Sequence, residues 1–356
     1  MTRGRDLRIA LVGFGNVGRR FAELLPGPFG RVLRAAGVRP VVTGIATGRH
    51  GRAIDPGGLD LRRCLRLVRG GRPLDPLHEW PDTASTLDFV RTVPADVLLE
   101  LSPLEPRTGE PATTHVGTAL RRRLHVVTAN KGPVAFALGR LRALARRRGR
   151  LFLHEGAVMD GTPVFNLVER CLPGIRVRGF RGALNSTTSH ILSRMEEGTS
   201  AEEALREAQA LGIAEADPAH DLEGRDAAVK GCALANALMG ARVQPRSVRR
   251  RGITRITASQ VQAAVRAGRR LRLVVRAWRE GGRVRLRVAP ERIPLGDPLA
   301  VSGADAVLIL DTDLMGEIGV VEGGGNVDQT AYALLSDLMA VVGVWSREGG
   351  GTTLSP

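Results

Sequence analysis

Apolar positions in the first 150 residues come as short continuous runs separated by stretches of helical spacing. Residues 7–12 form one such run and lead directly into Gly13-Phe14-Gly15-Asn16-Val17-Gly18, after which residues 19–25 carry apolar side chains at helical intervals. β-rich runs follow at 38–46, 96–101, 125–128 and 150–154, and helical patterns at 113–123 and 134–148 separate the later ones. This alternation predicts an α/β fold over residues 1–150, a Rossmann-type doubly wound parallel sheet. Past residue 150 the rhythm is mixed: strand-like at 175–184, helical at 201–211 and 225–240, then strand-like near 253–256, 271–278 and 284–288. A second, α+β domain is expected there. Its helix at Ala201 opens on a capping box, Ser200 with Glu203, and stops at Gly212.

Composition narrows the class. With 43% hydrophobic and 25% charged residues the chain reads as globular. No stretch approaches the ~18 consecutive apolar residues of a membrane span, so no membrane partner is expected. Cys64, Cys171 and Cys232 are far apart and odd in number, without metal or disulfide spacing, which fits a reducing cytoplasm. A formal charge of +16 raises the question of nucleic acid. The arginine clusters at 121–123, 146–148 and 249–251 fall on separate expected elements, however, and aromatics for base stacking make up only 3%. Nucleic acid is therefore not expected as a partner.

The basic residues carry a second signal. Of 52 lysines and arginines only two are lysines, Lys131 and Lys230. A guanidinium supplies surface charge as well as an amine does but cannot exchange a proton, so the two lysines are candidates for chemistry.

In a doubly wound sheet ligands sit at the carboxyl ends of the strands. Those ends here carry the glycine turn, Thr47-Gly48-Arg49-His50, Ser102-Pro103, Ala129-Asn130-Lys131-Gly132 and Glu155-Gly156. The glycine turn is suited to a dinucleotide pyrophosphate at a helix N-terminus. No acidic residue follows the second strand to hold a ribose hydroxyl, and Arg49 stands there instead. NADP is thereby favoured over NAD, with an ordinary surface arginine as the alternative reading. The passage from Gly212 to Lys230 crowds acidic groups into a turn that enters a helix, and Asp226 and Lys230, four apart, share one helical face. That spacing suits either a surface ion pair or a site for a small polar ligand.

In these residues the chain resembles the homoserine dehydrogenases, from residue 7 to about 342. The motifs GFGNVG, TANKGP, GALNSTTSHIL, EAQALGIAEADPAHDLEGRDAAVK and GGGNVDQTAYALLSDL occur in the family's order. The resemblance implies NAD(P)-dependent, reversible reduction of L-aspartate 4-semialdehyde to L-homoserine, a step towards threonine, methionine and isoleucine. It implies Glu215 and Asp226 as substrate-binding acids, and Lys230 and Lys131 as catalytic lysines, either of which could give the proton. Gly13, Phe14, Gly15, Asn16, Val17, Gly18, Arg49, Ser102, Lys131, Gly324 and Gly325 fall in the cofactor positions. A sodium ion near Glu155 and Val158, a homodimer joined through the second domain, and the absence of an appended regulatory domain are further implications. The expected division is a dinucleotide domain at 1–150 completed by about 320–346, a substrate-binding and dimerisation domain at 151–319, and a frayed tail at 347–356.

The chain departs from the family at Val158-Met159-Asp160-Gly161-Thr162, where a glycine run is usual, at NSTTSHIL in place of NGTTNYIL, and at Ile213 in place of a tyrosine. Two other readings compete: a different dehydrogenase of small amino or hydroxy acids, and a non-catalytic dinucleotide sensor. An aspartate-semialdehyde dehydrogenase would need a nucleophilic cysteine in a strand-end loop.

Overall fold

Two six-stranded sheets organise the chain. The computed structural model describes residues 5–214 and 217–345, so Glu215 and the stretch 346–356 lie outside the described residues. The first sheet contains β1 (Arg5–Val12), β2 (Val38–Ala46), β3 (Arg52–Ile54), β4 (Val97–Glu100), β5 (His125–Thr128) and β6 (Phe152–Leu153), in the order β3-β2-β1-β4-β5-β6. All neighbours are parallel except β3, which turns back along β2. β1, β4 and β5 are almost wholly buried because helices cover both faces. The strand order reverses between β1 and β4, which opens a crevice beyond their carboxyl ends.

The second sheet contains β7 (Val177–Ala183), β8 (Arg249–Arg250), β9 (Arg269–Glu280), β10 (Arg283–Pro294), β11 (Ala306–Thr312) and β12 (Glu317–Glu322), ordered β12-β11-β7-β9-β10-β8. It is antiparallel apart from the short β8–β10 pair. Helices Ser186–Glu196, Arg225–Leu238 and Ala258–Arg266 pack against it. Gly231 lets the middle one lie close, since a Cβ there would stand 2.6 Å from Val275 Cγ1.

Two expectations are corrected. Residues 253–256 form no strand. Ile253 packs into the hydrophobic core, with its amide bonded to the distant Leu222 carbonyl at 2.8 Å, so its apolar character reports packing and not pleating. The other concerns the helix Val327–Trp345, whose stretch Val327–Val344 is long and apolar enough to cross a membrane. Half of that stretch is buried within the protein. Ala331, Leu334, Leu335, Leu338, Val341 and Val342 join the core that holds Leu7, Ile9 and Phe21, and the helix lies beside helix Asn16–Leu24. Its apolarity is that of a core helix touched on several sides.

Candidate active site

The glycine turn is shaped by close approach. Gly13 has φ +98°, and a Cβ there would stand 2.4 Å from the Leu101 carbonyl oxygen at the end of β4. At Gly18 a Cβ would meet the Gly13 carbonyl at 2.7 Å. Gly15 differs: a Cβ would meet no protein atom within 4 Å, so the space beside it is open to a ligand. Gly15 caps helix Asn16–Leu24 without a side-chain hydrogen bond, leaving the first amides directed at that space. Phe14 is buried in the core and can offer only its backbone, whereas Val17 lines the crevice. These features fit a dinucleotide pyrophosphate. Arg49 is exposed in the turn after β2, which Thr47 Oγ1 pins by accepting from His50 N, and it has no recorded ion-pair partner among the described residues.

The crevice, about 710 Å³, lies between the carboxyl ends of the first sheet and the helix Arg225–Leu238. Ser102, Lys131, Asp226, Lys230 and Gly325 all line it, as do Asn130, Asn185, Asp160, Asp221 and Glu322. Lys131, at the start of helix Lys131–Arg148, places its Nζ 2.7 Å from Asp226 Oδ1. Lys230 places its Nζ 3.3 Å from Asp226 Oδ2 and donates to the Leu184 carbonyl at 2.6 Å. Asn185 Nδ2 donates to Asp221 Oδ1 at 2.7 Å and to Asp226 Oδ2 at 3.0 Å. Burial opposes the charge on Asp226, but the two lysines and Asn185 overcome it and hold the carboxyl below its ordinary range. Lys230 is likewise opposed by burial and still held above the ordinary lysine value by Asp226, Asp160, Asp221 and Glu322. The site therefore stores ammonium groups beside one firmly ionised carboxylate.

Supporting groups fix that arrangement. Asn130 donates through Nδ2 to the Ser102 carbonyl at 2.8 Å and accepts from Gly132 N at 2.8 Å, so it ties the loop after β4 to the helix start that carries Lys131. Ser102 Oγ donates to the fully buried Glu100, whose backbone carbonyl accepts from Thr128 Oγ1 at 2.7 Å. Opposite Lys230, Glu322 and Asp160 crowd the Cα of Gly325, where a Cβ would stand 2.3 and 2.4 Å from their oxygens. Burial and the neighbouring Asp160 push the Glu322 carboxyl up to about 7. Gly324, with φ +57°, donates its amide to Asp305 Oδ1 at 3.0 Å. Sequence reasoning did not assign Glu100, Asn130, Asn185, Asp160, Asp221 or Glu322 to the site. Of these, Asn130, Asn185 and Asp221 lie inside the family motifs, while the meeting of Asp160 with Glu322 has no sequence signal.

At the Glu155 turn the carboxylate accepts backbone amides from Val164 at 2.6 Å, Phe165 at 2.9 Å and Asn166 at 2.7 Å. Glu155 N in turn donates to buried Asp337 Oδ2 at 2.9 Å. The Glu155 side chain is thus committed to binding its own loop, and no group of three His, Cys, Asp or Glu side chains among the described residues could hold a metal. The donor set does not fit a cation held through carboxylates. Met159 and Asp160, which stand where glycines are usual, adopt φ +57° and +44° and keep the left-handed path of the turn without them.

None of the three cysteines lines the crevice. Burial pushes the Cys64 thiol up to about 11 and the Cys232 thiol up to about 12, and Cys171 is exposed elsewhere. Chemistry through a cysteine thioester has no nucleophile here.

A parallel sheet that ends in a glycine turn, facing a second domain with paired ammonium groups, is the build of a nicotinamide-dinucleotide oxidoreductase. The sequence profile of homoserine dehydrogenase matches residues 163–339. The homoserine dehydrogenase of Methanocaldococcus jannaschii is 37% identical over 94% of this chain and 98% of its own length. The NAD(+)-dependent homoserine dehydrogenase of Pseudomonas canavaninivorans is 35% identical over 94% and 96%. Among solved structures, a homoserine dehydrogenase from Archaeoglobus fulgidus superposes with a TM-score of 0.83 at 35% identity, covering 94% of this chain and 99% of that one. A hyperthermophilic archaeal homoserine dehydrogenase in complex with NADPH gives 0.78 at 27% identity, covering 94% and 97%. The chain belongs to the homoserine dehydrogenase family.

Proposed function

We propose that this chain interconverts L-homoserine and L-aspartate 4-semialdehyde with a nicotinamide dinucleotide, using Lys131, Asp226 and Lys230 as the polar centre. The meeting of the two lysines on one carboxylate is the observation that carries this reading. The bound dinucleotide supplies or accepts the hydride. In the reducing direction the aldehyde oxygen gains charge, and an ammonium beside it both stabilises the alkoxide and gives it a proton. Asp226 keeps that ammonium charged and aimed, and Asn185 fixes the second oxygen of Asp226. Asp221 and Glu215 are suited to the α-ammonium of the substrate.

In this reading the Gly13–Gly18 turn, Ser102, Gly324 and Gly325 border the dinucleotide, and Arg49 selects its 2′-phosphate. Residues 1–150 with about 320–346 hold the cofactor, and 151–319 hold the substrate and the contact of a homodimer in the cytoplasm. A monovalent cation at residues 155–158 would rest on peptide carbonyls such as that of Val158. The test is absorbance of reduced dinucleotide formed on L-homoserine, with L-serine and L-threonine as controls. Turnover on homoserine alone supports the reading; equal turnover on all three, or none on homoserine, overturns it.

A further inference from the structure

The helix Arg225–Leu238 has a second concavity, of about 190 Å³, apart from the active-site crevice. Four arginines line it: Arg107 from the loop after β4, Arg225 in the first helical turn, Arg246 before β8 and Arg250 within it. Val229 supplies an apolar part of the wall. Arg225 alone has a carboxylate partner, Glu223, at 2.6 Å. Among the described residues Arg107, Arg246 and Arg250 have no recorded ion pair, and all three are exposed.

Elsewhere several of this chain's guanidinium groups are matched to acids. Arg181 lies between Asp297 and Glu317, Arg276 meets Glu291, and Arg272 meets Glu196. Four guanidinium groups around one small cavity outnumber the two carboxylates near them, Glu223 beside Arg225 and Glu105 beside Arg107, and create a local positive potential. Planar, permanently charged forks of this kind match the oxygens of a phosphate group in pairs. The volume admits a phosphate with a short substituent and excludes a helix or a nucleic-acid strand.

We propose that this concavity binds a small phosphate-bearing anion, either inorganic phosphate or a phosphate monoester. The site bridges the loop after β4, in which Ser102 lines the crevice, and the helix whose next residues include Asp226. Arg225 adjoins Asp226 in sequence, and Val229 adjoins Lys230. A bound anion ties the loop to the helix and holds the two sides of the active-site crevice at a fixed separation. The proposal does not depend on the identity of the substrate.

The test uses the full chain with saturating dinucleotide, so that the cofactor's own phosphate positions are filled. Inorganic phosphate and phenyl phosphate are titrated separately against chloride at matched ionic strength, and thermal unfolding is followed. A saturable rise of about 1–2 °C is expected for an anion several-fold above its dissociation constant. A rise with phosphate alone assigns the site to the free ion; a rise with both admits monoesters. The exposed pair Arg246→Ser with Arg250→Ser should abolish the rise and leave turnover without phosphate unchanged. Arg107→Ala, on the opposite wall, is an independent check that should weaken the rise. No rise beyond chloride, or an equal rise in the double variant, overturns the proposal.

Discussion

Lys131 Nζ stands 2.7 Å from Asp226 Oδ1, across the boundary between the first sheet's helices and the second sheet's. The same carboxylate holds Lys230 from one turn further along its own helix. The i,i+4 ion pair that the sequence allowed is therefore present, but it is one arm of a three-member cluster at the crevice.

Lys131→Arg and Lys230→Arg keep the charge and lose the compact, proton-exchanging amine. Each should reduce turnover by about 10²–10⁴, with thermal unfolding little changed. Steady-state homoserine oxidation at saturating dinucleotide is the measurement. A variant that retains more than about a tenth of the turnover assigns its lysine a structural role.

Two glycines of one turn should fail differently. Gly13→Ala combines a positive φ with a 2.4 Å approach to Leu101, so it should lower the melting temperature by several degrees, from a cost on the order of 3 kcal/mol. Gly15→Ala meets no protein atom and should melt like the parent while its Michaelis constant for dinucleotide rises at least about tenfold. Similar melting curves for both variants would contradict the division between packing and ligand space.

Arg49 is exposed and without a recorded partner, so Arg49→Ala should have little effect on stability. The Michaelis constant for NADP should rise much more than that for NAD, because only the phosphorylated cofactor loses a contact. Parallel changes for the two cofactors would remove Arg49 from 2′-phosphate recognition.

Asp337 sets a pH dependence. Burial pushes its carboxyl up to about 7 against the pull of the Glu155 amide, so the folded state takes up a proton that the unfolded state releases above pH ~4. Its contribution favours the fold fully below pH ~4 and is lost as pH rises towards about 7. Asp337→Asn should flatten the fall in stability between pH 5 and about 7, read from urea unfolding at stepped pH. An unchanged slope would mean that other groups set it.

The glycine turn, the parallel strands and both lysines were legible because each depends on local chemistry: apolar runs, a backbone that forbids side chains, and a rare residue type. β2 was located at residues 38–46 as expected. The helix Lys131–Arg148 starts three residues earlier than its apolar periodicity suggested, because Asn130 caps it by accepting from Gly132 N. What the sequence did not show depends on contacts between distant segments. Asp160 and Glu322 meet only when the Glu155 turn folds against the end of β12 and the start of helix Val327–Trp345, where Gly161 approaches so closely that a Cβ would stand 2.2 Å from the Gln329 carbonyl. β11 and β12 were missed although β11 is almost entirely buried, since a short apolar run has no period to separate strand from helix. Helices Leu61–Arg69 and Ser186–Glu196 were also missed, although in the first Leu61, Cys64, Leu65 and Val68 recur at i, i+3, i+4 and i+7 with the arginines on the opposite face.

The helix Val327–Trp345 lies in the same core as Leu7, Ile9 and Phe21. During synthesis the first strand and the glycine turn leave the ribosome long before the helix that packs beside them. The apolar flank of the first sheet stays without this cover while the whole second sheet is being made. Burial of that flank thus waits for a helix more than 300 residues further along the chain, and a nascent chain stopped short of it presents a sticky apolar surface.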